Sequence, residues 1–383
     1  MGGLAFANTA TSNGKPPQVP RMSPQLYQQV AKECQTKLEK VFDRVVIPRE
    51  PPGKADHGDI DFLVEGGPAR AGKGDVWATV KTILGAELHL SNGGSHSYAI
   101  PHLESPGTYV QVDVELSPGY GTPEGPDLFE WTRFIKGDAD LVQLIGVSHR
   151  PLGLTCNDQG LHLIVEEIAI YNKKKSLLFL TRDPDRLMEF YGFDATKYWA
   201  GFSEETEIFD WVSSGRFFSS EIFENRTEKS NDRSRQKKRP MYRRFVEEYM
   251  PLHPGQGEKS PWTREQVISE ALEHFNKKTE YEAMMEEHRN KEIEEKLWSG
   301  IRATIPAEGN SLGIALKGLR HWVVFQNGKP AVASEPVEYQ SWTKSISIEN
   351  KDAVLRWVLE HWEQVKRLEK SRGSAARQAA TTG

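Results

Sequence analysis

The segment "GKADHGDIDFLVEGG", residues 53–67, constrains this chain more than any other. Asp59 and Asp61 stand one residue apart and lead directly into Phe62-Leu63-Val64. In a β-strand, successive side chains alternate between faces, so both carboxylates leave one face while Ile60, Phe62 and Val64 leave the other. Two like charges on one short stretch repel unless they are well solvated or a cation lies between them. A solvated edge strand, where acidic residues discourage strand-to-strand aggregation, is the simpler of these two readings.

"TYVQVDVEL", residues 108–116, is the clearest alternating strand in the chain. Val110, Val112, Val114 and Leu116 share one face, and Gln111, Asp113 and Glu115 the other. If it neighbours the first acidic strand, Asp59, Asp61 and Asp113 converge. Three carboxylates on adjacent strands suit two-metal phosphoryl chemistry, in which hard Mg²⁺ ions are held by carboxylates and phosphate oxygens and stabilise both attacking and leaving groups.

The elements around these strands read as α+β. Ser23-Pro24 supplies a helix cap and a favoured first residue, and Leu26, Val30, Cys34, Leu38, Val41 and Phe42 recur at helical spacing. "RVVIP" reads as a short strand halted by Pro48, and "DVWATVKTILG" as a helix between Asp75 and Gly85. "SNGGS" reads as a hairpin turn before the strand "SYAIP", which accounts for Gly93, Gly94, Ser95, His96 and Ser97 without a ligand.

Composition narrows the function classes. At 383 residues, with 37% hydrophobic and 27% charged residues, the chain has enough apolar material for two or three domains. A net charge of −5 gives no reason to expect nonspecific nucleic-acid binding by the whole chain. Cys34 and Cys156 stand far apart, outside any Cys/His cluster, so no disulfide framework or zinc site is indicated and an intracellular setting, cytoplasmic or nuclear, is expected. No apolar run approaches the roughly 20 residues of a membrane helix. Residues 1–22, rich in Gly, Pro, Ser, Thr and Asn, are expected to form a disordered leader, and Phe6 stands where a myristoylation signal requires Ser or Thr.

Beyond residue 120 the pattern changes. "PDLFEWTRFIKGDADLVQLIGVSHRPLG" and "QGLHLIVEEIAIYN" read as helices, "SLLFLT" as a strand, and Asp183-Pro184 as the opening of another helix. Eleven aromatic residues between Phe190 and Phe223 read as packing for a mainly helical substrate or capping domain over 151–250. "RTEKSNDRSRQKKRPMYRR" carries Arg235, Lys237, Lys238, Arg239, Arg243 and Arg244. The run is a candidate RNA-binding or nuclear-import stretch, or a solvated loop. A linker then leads to a C-terminal module over 262–370, with two helices broken near Asn276, a hairpin at Asn327-Gly328 and a final amphipathic helix starting at Asn350. Residues 371–383 are expected to be a disordered tail.

"GDIDFLV" followed by "VQVDVEL" resembles the DNA polymerase beta-like nucleotidyltransferase superfamily. With "IPREPPGKADHGDIDFLV", "GLTCNDQGLHL", "LFLTRDPDRLMEFYGFDATKYWAGFSEETEIFDWVSSGRFF" and "KKRPMYRRFVEEYM" in the same order, the chain is similar to viral, phage and fungal nucleotidyltransferase-like proteins, over Arg44 to Met250. The resemblance implies a catalytic domain over 23–150 built on a small mixed sheet, fused to the helical domain and to a smaller α/β-containing C-terminal module. It implies Mg²⁺ or Mn²⁺ held by Asp59 and Asp61, with Asp113 assisting the acceptor hydroxyl and Glu115 as an outer partner. The implied reaction moves a nucleoside monophosphate from an NTP to an acceptor hydroxyl, an RNA end among the choices, releasing pyrophosphate. The Gly-Ser pair that usually precedes the acidic pair and holds the triphosphate is missing here; Gly58, Lys54 and Arg49 stand in its place. A catalytically degenerate nucleotide- or nucleic-acid-binding protein and a metal-dependent nuclease are the alternatives.

Overall fold

The computed structural model describes residues 3–9, 16–67, 75–224, 239–257, 262–347 and 350–382, and the chain divides into compact units Met1–Lys278 and Thr279–Gly383. The first unit opens with helix α1 (Pro24–Leu38), capped by the Ser23 hydroxyl, which accepts from the Leu26 N–H. Strands β1 (Arg44–Val46) and β2 (Asp59–Glu65) follow. Helix α2 (Val76–Leu84) is capped by the Asp75 carboxylate and closed by Gly85 in the left-handed conformation. Strands β3 (Leu88–Asn92) and β4 (Ser95–Pro101) form the expected hairpin, and β5 (Tyr109–Leu116) completes the sheet.

The sheet order is β1-β2-β5-β4-β3, with β2 and β5 parallel and every other pair antiparallel. The apolar alternation of the two acidic strands fixes which face is covered. Ile60, Phe62, Val64, Val110, Val112 and Val114 join Leu26, Val30, Cys34 and Leu38 of α1 and Val80 and Leu84 of α2 in one core. Each such side chain contributes about 1.5–3 kcal/mol on burial, so turning either strand over would cost far more than separating two carboxylates gains. The polar set is therefore held on the opposite face.

The described parts of the leader, 3–9 and 16–22, differ from expectation; residues 1–2 and 10–15 lie outside the described residues. Phe6 is fully buried and Met22 nearly so, Met22 and His57 form an antiparallel bridge, and the Tyr109 N–H donates to the Gln18 carbonyl. Composition averages over such a segment and conceals that two of its large apolar residues, Phe6 and Met22, are core residues.

Helices α3 (Gly125–Lys136) and α4 (Leu141–His149) match the expected helices. "QGLHLI" does not: β6 (Leu154–Asn157), β7 (Gly160–Ile164) and β8 (Leu177–Thr181) form a three-stranded antiparallel sheet, and only Glu166–Ala169 of that stretch is helical. Asn157 closes the β6–β7 turn by accepting from the Gln159 N–H. Because Leu161, His162 and Leu163 are all buried, β7 shows no alternation that would mark it as a strand. Most of the aromatic cluster packs as expected, with Phe190, Tyr191, Tyr198, Phe209, Trp211, Phe217, Phe218 and Phe223 buried.

The boundary near residue 262 also shifts. The helix Arg264–His274 belongs to the first unit, where Arg264 donates to the Ile164 carbonyl, Glu270 pairs with Arg216 and Phe275 meets Phe190 edge-on at 5.1 Å. The break falls at Asn276, as expected, with φ +55°.

The second unit consists of helices Lys278–Thr304, Gly309–Trp322 and Lys351–Thr382 and a two-stranded hairpin turning at Asn327-Gly328. Its core joins Trp298, Ile301, Leu319 and Trp322 to Val354, Val358, Trp362 and Val365 of the last helix. That helix runs on through the stretch expected to be a disordered tail. Among the described residues, no helix is long and apolar enough to cross a membrane.

Candidate metal centre

The parallel register of β2 and β5 sets Asp59 opposite Gln111, Asp61 opposite Asp113 and Leu63 opposite Glu115. One carboxylate oxygen from each of Asp59, Asp61 and Asp113 falls within 4.8 Å of the others. This is the convergence that the alternation of both strands anticipates, provided they are neighbours.

The cluster is electrostatically loaded. Asp61 keeps solvent access at the surface of the sheet, yet the protein packed around it, followed by the charges of Asp59 and Asp113, pushes its carboxyl up to about 7; Lys136 pulls the other way. Burial also raises Asp113, against the nearby Ser97 hydroxyl and the Gln111 amide, which lower it. Gln111 Nε2 donates to Asp113 Oδ2 at 2.8 Å, and Asp113 Oδ1 is buried without a hydrogen-bond partner among the described residues. A buried carboxylate oxygen left open, beside two further carboxylates, fits a hard divalent cation such as Mg²⁺ or Mn²⁺. The donor set is all oxygen, which disfavours softer metals.

The other sequence candidates are placed as follows. Glu115 accepts from Lys136 Nζ at 2.7 Å, so it anchors the cation whose charge reaches Asp61 and Asp113. Lys54 is paired with Glu50 at 2.6 Å, and Glu50 in turn lies 3.9 Å from His57 Nδ1. Gly58 is buried directly before Asp59. Arg49 is committed elsewhere: its guanidinium makes a bidentate pair with Asp138, donates to the Tyr198 carbonyl and stacks on the Tyr198 ring. Of the basic run, Arg235, Lys237 and Lys238 lie outside the described residues. Arg239 pairs with Asp140 at 2.6 Å and Arg244 makes two bonds to Glu205, while Arg243, half exposed, is 4.0 Å from Glu247.

Two neighbours of the centre are not singled out by sequence reasoning. Lys136 ends α3, and its basic character is unremarkable in a last helical turn; only the packing of α3 reveals that it faces β5. Tyr27 sits on the buried stripe of α1, stacked on His57 at 3.8 Å, and its hydroxyl is buried without a partner among the described residues. Burial, followed by the charges of Glu50, Asp61 and Asp59, raises its pKa strongly. Gln111 was readable, since alternation puts it on the acidic face.

In comparisons with known proteins, neither a protein-family profile nor a curated sequence matches this chain.

Proposed function

We propose that the chain is a divalent-metal-dependent nucleotidyltransferase that moves a nucleoside monophosphate from an NTP to an acceptor hydroxyl. The observation that carries this reading is the convergence of Asp59, Asp61 and Asp113 on two parallel strands, with an unpartnered carboxylate oxygen among them. Bound Mg²⁺ would supply charge neutralisation for the triphosphate and lower the pKa of the attacking hydroxyl.

Asp59 and Asp61 would hold the metal, and Asp113 would also receive the acceptor hydroxyl's proton. The hydroxyl oxygen then bonds to the α-phosphorus as the bond from that phosphorus to the α–β bridging oxygen breaks, and pyrophosphate leaves. Lys136, held by Glu115, and Lys54, held by Glu50, are the cations available for phosphate oxygens.

A second reading, a degenerate nucleotide-binding protein, draws on one observation: Arg49, a candidate replacement for the missing Gly-Ser cradle, is consumed by Asp138. Transfer of α-labelled nucleotide from the four triphosphates into RNA, protein and small-molecule fractions, with Mg²⁺ or Mn²⁺, separates the readings. Label incorporated by the parent and lost in Asp59→Asn/Asp61→Asn supports transfer and names the acceptor class. Triphosphate binding without incorporation supports the degenerate reading.

A further inference from the structure

We infer that the N-terminal segment, residues 3–9, is a positioning element of the carboxylate centre, an inference that rests on the metal-dependent reading above. Its main chain reaches one of the three carboxylates directly and a second through the Gln111 side chain. The Gly3 N–H donates to Asp59 Oδ2 at 3.1 Å. The Ala5 N–H donates to Gln111 Oε1 at 3.0 Å, and Gln111 passes the constraint on through its Nε2, which donates to Asp113 Oδ2. Fixing the Gln111 carbonyl in this way determines which end of the amide faces Asp113, so Asp113 receives a donor and not a second acceptor.

The segment is seated, not draped. Phe6 is fully buried, and the turn around it is closed by bonds from the Ala7 N–H to the Leu4 carbonyl and from the Thr9 N–H to the Phe6 carbonyl. Gly3 has φ +83°, and a Cβ there would stand 2.6 Å from the carbonyl oxygen of Gly58, the residue before Asp59. Only glycine can occupy that position without lifting the segment off the strand.

The same contacts argue against a plug. The segment contributes neutral N–H donors to Asp59 and, through Gln111, to Asp113, while Asp113 Oδ1 remains unpartnered with the segment docked. Metal-bound carboxylates characteristically accept such outer hydrogen bonds on oxygens turned from the ion, and losing them costs about 10- to 100-fold in metal affinity.

Mn²⁺ binding to the full chain, followed by the electron paramagnetic resonance signal of the free ion, tests the inference on folded protein well below its melting temperature. Gly3→Ala, Gln111→Met and a deletion of residues 2–9 are compared with the parent. The expected result is Mn²⁺ affinity weakened about 10- to 100-fold in all three. Gln111→Met lies on β5 and leaves the buried Phe6 and the Gly3 bond to Asp59 in place while removing the acceptor for Ala5 and the donor to Asp113, so it carries the test of the Gln111 link if the leader variants fail to fold. A parent that binds Mn²⁺ while folded variants bind it equally well or more tightly overturns the positioning role and leaves the metal reading standing. A parent that binds no Mn²⁺ overturns both.

Discussion

Asp61 and Asp113 are register partners across the parallel pair β2 and β5, so their side chains leave directly opposed positions on one face of the sheet. Neither can turn away without carrying Ile60, Phe62, Val112 and Val114 out of the core on the other face. The repulsion between them is thus imposed by hydrophobic burial elsewhere in the same strands. With burial, which contributes most, and the charge of Asp59, it lifts the Asp61 pKa well above the ordinary carboxylate range.

That anomaly sets a pH dependence. Packing around Asp61 and the charges of Asp59 and Asp113 raise its folded pKa from 3.8 to about 7, with Glu50 adding to the rise and Lys136 opposing it. Below about 4 the carboxyl is protonated folded or unfolded and contributes no difference. Between about 4 and about 7 the unfolded chain ionises while the folded one holds its proton, so the metal-free protein loses stability as pH rises; above about 7 the loss is complete. Asp61→Asn should raise the metal-free melting temperature at pH 8, by the equivalent of about 1 kcal/mol after solvent screening, and leave it unchanged at pH 4. Saturating Mn²⁺ should remove the pH-dependent loss from the parent. Thermal melts across pH, with and without metal, check this, and a mutant that melts below the parent at pH 8 would contradict it.

Asp113→Asn retains the shape of the side chain and its bond from Gln111 in altered form, yet loses the proton acceptor and a charged ligand. Transfer activity should fall by about 10²-fold or more, with the metal-free fold intact by circular dichroism. Metal affinity should fall with it. Unchanged turnover would remove Asp113 from the reaction.

Lys136 supplies a different test, because its Nζ is tied to Glu115 and its charge lowers the pKa of both Asp61 and Asp113. Lys136→Met should raise the Asp61 pKa further, read from carboxyl ¹³C shifts during titration. If the ammonium also holds phosphate, triphosphate affinity in the presence of Mn²⁺ should weaken about tenfold, the worth of one charge-assisted hydrogen bond. An unchanged carboxyl titration would show that the lysine does not sense the centre.

The centre was legible in sequence because its information is local. Period-two alternation in "DIDFLV" and "VQVDVEL" fixes the face of each carboxylate, and only the pairing of the strands needed the fold. Helices with explicit caps, at Ser23, Asp75 and Asp183, were legible for the same reason. β7 was not, since burial on both faces erases alternation, and neither was the docking of Phe6, which depends on a site assembled from distant residues. Lys136 and Tyr27 belong to that second kind: ordinary positions on ordinary helices, given meaning by what lies opposite. The role of Arg49 turns on the same point, since a cation beside a candidate cradle looks free until its partner is seen.

Arg49 and Asp138 therefore make the sharpest remaining prediction. Asp138 is completely buried, in the left-handed conformation with φ +54°, and its carboxylate accepts from both Nε and Nη2 of Arg49. Burial raises the Asp138 pKa, while the hydrogen bonds and charge of Arg49 hold it down. Removing the guanidinium leaves a buried carboxylate unpaired, a loss of about 3–5 kcal/mol in such settings. Arg49→Met should accordingly lower the melting temperature strongly, and Arg49→Met/Asp138→Asn should recover part of the loss, because the neutral amide needs no counter-charge. Triphosphate affinity measured on the folded fraction should change little in either. If instead Arg49→Met melts like the parent but binds triphosphate weakly, Arg49 is a phosphate ligand and its pairing with Asp138 is incidental.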